Sequence, residues 1–388
     1  MKSSILVLAV FWTAMAFVSC NQDDANLGSG DDQSLKSVTI SLANVEAQLN
    51  SRADGGAEIR DGEAVTLANF QVFFTDGEKL YQGKTTAGTS AEHFYSNTSG
   101  LQATTFHFLP AAVNKVVVIG NLRGDDGNLR TAEISVTDGV TSLSDIDQEL
   151  NIDKEQEQGT LTLYGESGLK KIGTDEDDVH SNPLYEAKVS LTPRIARLEV
   201  KTFSCDFTDA GAYSKFGLLH LAFNNYYTKA SLFEGKVGDG LVKIDINEKD
   251  VFNYFANLTE GWNNDEVNIT LEKPADGTTI ATEDANFAYH FFPVAGEVAN
   301  AETDGYPQLI LKADGSYPTT APDQADALFL ATRVFNEGQT AIDKFEAGHI
   351  YRVNFAFKNS DFKQPDKCVE VTVEVATWKV VEVTPGYN

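Results

Sequence analysis

Apolar residues recur at every second position along most of this 388-residue chain. Val38, Ile40 and Leu42 alternate with Ser37, Thr39 and Ser41. The same spacing links Phe70, Val72 and Phe74, then Phe106 and Phe108, then Ala196, Leu198 and Val200. It returns in Leu219, Leu221 and Phe223, in Tyr351, Val353, Phe355 and Phe357, and in Val369, Val371, Val373 and Val375. A period of two is that of a half-buried strand, whose side chains point alternately to core and solvent. Val116 to Ile119 is a continuous apolar run behind a Leu109-Pro110 turn. Turn formers part the runs at Asp76-Gly77, Asp126-Gly127-Asn128, Asp276-Gly277 and Ala313-Asp314-Gly315. No long amphipathic helical pattern interrupts them. The pattern predicts an all-β chain built of β-sandwiches.

One boundary stands out. Residues 163–183 are rich in Gly, Asp, Ser and Lys, and predict a long loop. A strand follows through Val189 and Leu191 to Pro193, and the next begins at Arg194. The junction is expected near Leu191, which gives sandwich domains over 53–190 and 191–388.

The N-terminus changes the picture from a soluble chain to an exported one. Lys2 precedes an almost unbroken apolar stretch from Ile5 to Val18. The stretch is short for a membrane span and suits a secretion signal. It ends at Phe17-Val18-Ser19-Cys20, which resembles a lipobox, with Phe17 where Leu is usual. Cys20 is therefore the expected lipidation site, with residues 1–20 as the lipoprotein signal. Polar residues 21–34 read as a tether. The formal net charge of −27 repels phosphate, so nucleic acid is excluded as a partner.

Candidate chemistry is sparse. No metalloprotease, hydrolase-elbow or phosphate-loop motif occurs, so no enzyme activity, cofactor or metal is expected. His93, His107, His180, His220, His290 and His349 are scattered, with no pair at helical ligand spacing. Asp175-Glu176-Asp177-Asp178 lacks the spaced ligands of a calcium loop. Arg123-Gly124-Asp125 spells an adhesion tripeptide beside a turn, and a charged hairpin is the simpler reading. Asn224-Asn225-Tyr226-Tyr227 groups two amides with two aromatic rings, the best residue-level case for sugar binding. Cys205 and Cys368 are a candidate disulfide pair in an oxidising compartment, although their spacing does not require it.

Five features in order resemble the type V pilins, or FimA-type fimbrillins. The first is the lipobox, the tether and an alternating strand from Lys36 to Leu49, followed by Asn50-Ser51-Arg52-Ala53 and a glycine-rich acidic stretch. The others are Arg194 to Val200, Asn224 to Tyr227, Ala347-Gly348-His349-Ile350-Tyr351-Arg352-Val353, and the alternating C-terminus. Between Val375 and Trp378 the alternation changes phase, which predicts a break between two final strands.

The resemblance implies two tandem transthyretin-like Greek-key sandwiches. It implies export to the outer membrane, where lipid on Cys20 holds the precursor, and later residence in an extracellular fimbria. A secreted Arg-specific protease is expected to cut between Arg52 and Ala53, with Arg60 as the local competitor. Residues 21–52 would leave as a propeptide, taking the strand of Val38, Ile40 and Leu42. The C-terminal segment of another copy, about 377–388, would then fill the vacancy with Trp378, Val380, Val381 and Val383 as donor-strand residues. The implied partners are further copies, related fimbrial subunits, the protease, and host or bacterial surface ligands. The role is structural and supports adhesion, with a stalk position ahead of a base or accessory one. Two other readings share the sandwich fold, a glycan-binding lipoprotein and a surface hydrolase; only the fimbrial reading needs a cleavable first strand and a long alternating last one.

Overall fold

A computed structural model describes residues 35–48, 64–124, 126–157, 161–177, 181–208, 213–245, 251, 254–255, 262–316, 325–358, 361 and 368–383. These residues are almost all strand and turn, in a sandwich-like all-β arrangement. Among them no helix is long and apolar enough to cross a membrane.

The first half contributes β1 (Leu35–Leu42), β2 (Val45–Gln48), β3 (Ala64–Thr66), β4 (Phe70–Thr75), β5 (Leu80–Tyr81) and β6 (Phe94–Tyr95). It continues with β7 (Thr105–Pro110), β8 (Lys115–Gly120), β9 (Glu149–Asn151), β10 (Leu163–Gly168), β11 (Lys170–Thr174), β12 (Pro183–Val189) and β13 (Thr192–Pro193). The second half opens with β14 (Ala196–Asp206), β15 (Lys215–Asn224), β16 (Tyr226–Tyr227), β17 (Lys229–Ser231), β18 (Leu241–Val242) and β19 (Asn264–Glu272). It ends with β20 (Ile280–Phe291), β21 (Gln308–Ser316), β22 (Ala325–Glu337), β23 (Thr340–Ala341), β24 (His349–Lys358), β25 (Cys368–Thr377) and β26 (Lys379–Val383).

Two sheets enclose the first core. One runs β11-β12-β1-β7 and the other β13-β10-β8-β4-β5, with β6 on β4. Val38, Phe70, Phe74, Phe106, Leu109, Val118 and Leu163 are fully buried between them. Most strands of the second half form one sheet, β19-β15-β21-β22-β25-β24-β14-β20, with β23 on β22; β16 and β18 pair with each other, β17 pairs with β9, and β26 joins β2 and β3. Its edge strands β19 and β20 come back together, so the sheet rolls around its own core. Phe223 stacks there between Tyr226, at 4.7 Å, and Tyr289, at 5.2 Å. The first core runs continuously up to Ile195 and the second begins at Ala196, but Ala230, Leu232, Phe292, Ile350 and Trp378 from the second half also pack in the first core.

Four expectations are corrected, the first being the turn at Ala313-Asp314-Gly315, which lies inside β21 and is paired on both sides. The first strand is not continuous from Lys36 to Leu49: it breaks at Ala43-Asn44 into β1 and β2. Asn44 makes the break, since its side chain both donates to the Leu191 carbonyl, at 2.6 Å, and accepts from the Leu191 N–H, at 2.8 Å. Residues 163–183 are not a loop but contain β10 and β11. Their loop-like composition has two causes. Gly165 passes so close to Ser190 that a Cβ would lie 2.3 Å from its carbonyl oxygen, and every residue of β11 is exposed, so nothing there need be apolar. Leu219, finally, is only partly buried. A bulge between Leu218 and His220 shifts the phase, so Phe216 and Leu218 point inward before it, and Leu221 and Phe223 after it. The predicted break after Val375 is present, with β25 ending at Thr377 and β26 beginning at Lys379.

Phe223→Ala empties the centre of the second core's ring stack. The substitution should lower unfolding free energy by about 3–5 kcal/mol, read from urea denaturation. A loss below about 1 kcal/mol would show that the stack is not a core element.

Candidate strand-exchange site

Strand β1 occupies the middle of its sheet. It runs parallel to β12, with Val38 opposite Tyr185, Ile40 opposite Ala187 and Leu42 opposite Val189. On its other side it is antiparallel to β7, with Val38 opposite Phe106. Val38 and Ile40 are buried and Leu42 is half-buried against the same core. Without β1, two rows of backbone groups and the apolar side chains of β7 and β12 would lose their cover.

The slot also carries polar groups that the alternation alone does not announce. Lys36 is 8% exposed, and its Nζ donates to the carbonyls of Ala111, at 2.8 Å, and Val113, at 2.6 Å. The same ammonium lies 4.8 Å from the centre of the Tyr185 ring. Burial pulls the Lys36 pKa below the ordinary lysine value. A sequence signal existed: Lys36 shares the phase of Val38, Ile40 and Leu42, where a lysine is out of place.

Ser37 is fully buried beside it. The β1–β7 register shifts between Lys36 and Val38, and Phe108 adopts φ 57° there. That left-handed conformation is strained for a bulky residue, and the bulge accommodates His107 opposite Ser37. His107 Nδ1 is 3.2 Å from Ser37 Oγ and 2.8 Å from Asp175 Oδ2. His107 and Asp175 are both nearly fully buried. The Ser, His and Asp side chains do not form a hydrolytic triad, because both oxygens address the same ring nitrogen. Asp175 Oδ2 makes no in-line hydrogen bond. Of the acidic run only Asp175 reaches the slot wall, while Glu176 and Asp177 are exposed, and among the described residues no cluster suited to a metal ion occurs.

The other end of the chain is stored close to its own core. Trp378 is 6% exposed, and its backbone N–H donates to the Gly348 carbonyl. Its ring meets His290 edge-on at 5.6 Å. β26 then lies between β2 and β3, parallel to both. Val45 pairs with Val380, Gln48 with Val383, and Ala64 with Lys379. Of the expected donor residues, Trp378 is packed in its own chain, and the side chains of Val380, Val381 and Val383 lie outside the described residues. Cys20, Arg52, Ala53 and Arg60 lie outside them entirely.

His290 fixes the seat of Trp378. Its Nδ1 is 2.6 Å from the Glu155 carbonyl, and its Nε2 is 3.2 Å from the Arg197 guanidinium. Nδ1 therefore carries the hydrogen and Nε2 accepts, which requires a neutral ring. Burial, and then the Arg197 charge, hold the His290 pKa down at about 4. The Glu155 carboxyl, pushed up by burial, accepts from the Thr162 hydroxyl and N–H.

The remaining expectations find other places. Asn224, Asn225 and Tyr226 are buried and only Tyr227 is half-exposed, so the four do not form a shared face for a sugar. Asn225, at φ 59°, donates to the carbonyls of Ala301 and Thr303 and accepts from the Gly305 N–H, which makes it a structural corner. The Arg123 guanidinium turns back onto the Gly127 carbonyl, closing the charged hairpin. Cys205 is buried on β14, Cys368 opens β25, and β24 runs between those strands. His93 is buried and accepts from the Gly83 N–H, whereas His180 lies outside the described residues.

No family model and no curated protein matches the chain. Solved structures similar to it are candidate cell adhesion proteins and fimbrial proteins. A candidate cell adhesion protein of Parabacteroides distasonis is 14% identical, with 91% of this chain and 99% of that one covered and a TM-score of 0.49. One of Bacteroides eggerthii is 15% identical over 91% and 98% of the two chains, with a TM-score of 0.44. The tip fimbrial protein of Porphyromonas gingivalis, truncated at its C-terminus, is 12% identical over 89% and 100%, with a TM-score of 0.37.

The neutral His290 sets a direction for acid stability. Its folded pKa, about 4, lies below the ordinary 6.5, so the unfolded chain binds the proton first as pH falls. The stability it contributes is present above pH 6.5 and is lost between about 6.5 and 4, at up to about 1.4 kcal/mol per pH unit. Urea midpoints at pH 7 and pH 4.5 should therefore fall further for the wild type than for His290→Gln. Glu155 titrates in both proteins and drops out of the comparison. Equal falls would contradict the assignment.

Proposed function

We propose that this chain is a structural, non-enzymatic subunit of a surface fimbria, assembled by donor-strand exchange and supporting adhesion. It is delivered as a lipoprotein precursor through Cys20 and processed by an Arg-specific protease after Arg52. The observation that carries the reading is the placement of β1 and β2. Both precede Arg52; β1 fills the slot between β7 and β12, and β2 covers one edge of β26.

A single cut between Arg52 and Ala53 would act at both ends of the assembly reaction. Loss of β1 opens an acceptor slot lined by Phe106, Leu109, Ala187 and Val189. Loss of β2 leaves β26 held only by the three-residue β3 in its own sheet. A cut after Arg60 has the same effect, because β3 begins at Ala64. The freed C-terminal strand of one copy then completes the sheet of the next, which is β-strand addition. Head-to-tail addition does not close on itself and gives a filament. Until the cut, the chain's own strand keeps the subunit monomeric, and the lipid keeps it at the outer membrane.

The lipid-free precursor treated with an Arg-specific protease should yield a stable fragment beginning at Ala53 and filaments in electron micrographs. Arg52→Ala should shift cleavage to Arg60 or abolish it, and Arg52→Ala with Arg60→Ala should abolish filaments. Filaments from the uncut double variant would overturn the reading.

A further inference from the structure

The C-terminal sequence repeats the side-chain order of β1. Residues Leu35-Lys36-Ser37-Val38-Thr39-Ile40 can be set against Trp378-Lys379-Val380-Val381-Glu382-Val383, in the same chain direction. Lysine falls on lysine. The two fully inward positions, Val38 and Ile40, receive Val381 and Val383. The half-exposed Thr39 receives Glu382. Within these six positions only one disagrees in kind, where Val380 stands in place of the Ser37 that meets His107; beyond them Thr384 falls on Ser41 and Pro385 on the half-buried Leu42, at the end of β1.

Other registers fail on chemistry. Moving the C-terminal strand by one residue in either direction puts Glu382 at the Ile40 or the Val38 position, both buried. Moving it by two residues puts Pro385 at the Ile40 position or Lys379 at the Val38 position; Pro385 has no N–H for the ladder. Reversing the strand can keep Val383 and Val381 inward. Pro385 then takes the place of Lys36, and the carbonyls of Ala111 and Val113 lose their donor.

We propose that the slot selects its incoming strand at two polar positions as well as two apolar ones, and that the C-terminal strand of a second copy enters it parallel to β12 with Lys379 in the Lys36 site. The proposal rests on the strand-exchange reading above and adds its register and its selectivity. Lys379 donates to the Ala111 and Val113 carbonyls over the Tyr185 ring, as Lys36 does in the uncut chain. Val380 leaves the His107–Asp175 pair without the hydroxyl that Ser37 supplies. The chain's own first strand is therefore the better match, which keeps the precursor closed, and a strand with a hydroxyl at the 380 position binds more tightly than the natural one.

The test uses a labelled peptide of residues 375–388 and the protease-processed protein, separated from its N-terminal fragment. The wild-type peptide should bind. Lys379→Ala should weaken it at least tenfold, Val380→Ser should tighten it about tenfold, and Thr384→Ala should leave it nearly unchanged. Equal binding of the wild-type and Lys379→Ala peptides overturns the register while leaving strand exchange standing. Sensitivity at Thr384 instead of Lys379 shows a reversed strand and also overturns it. A wild-type peptide that does not bind overturns strand exchange itself, and this register with it.

Discussion

The position of β1 inside its sheet, with a hydrogen-bonded neighbour on each side, is the constraint on which the rest depends. An edge strand can leave a sheet and expose one row of backbone groups. A central strand exposes two rows and, here, the apolar face beneath. The vacancy is therefore costly and shaped, and in the proposed exchange it would take another strand of matching side-chain order. The first core is built to contain that strand: Val38 and Ile40 sit among side chains from both sheets.

Polar groups make the slot specific where apolar groups only make it favourable. A buried lysine capping two carbonyls and a serine facing a buried His–Asp pair fix both the register and the direction of β1. The strained Phe108 and the adjoining bulge belong to the same arrangement. At the other end, β26 is shelved beside β2, so the two strands that would trade places are both governed by the residues before Arg52. Trp378 anchors that shelf through His290, whose neutral ring links the Glu155 carbonyl to Arg197.

Much of this was legible in the sequence, because period-two alternation reports a sheet's two faces directly. Val38, Ile40, Leu198, Val200, Tyr351 and Val353 all lie on strands, and the break near Trp378 appears as a phase change. What the sequence concealed has physical causes. Bulges at Leu218/His220 and Val200/Thr202 reset the phase within a strand. Close backbone approach demands glycine in β10, which mimics a loop. The partners of Lys36 and Ser37 come from residues about 70 or more positions away, and no local pattern links them. Asn224 to Tyr226 looked like a binding face because amides and rings serve equally well as buried corners.

In the strand-exchange reading, one cut uncovers the acceptor slot and loosens the donor strand together. Hydrogen–deuterium exchange of the full chain, measured before and after treatment with an Arg-specific protease at a concentration too low for assembly, tests it most directly. Amides of β7, β12 and β26 should lose protection in the same step, while those of β14 and β24 keep theirs. Undiminished protection of β26 after loss of the N-terminal fragment would contradict it.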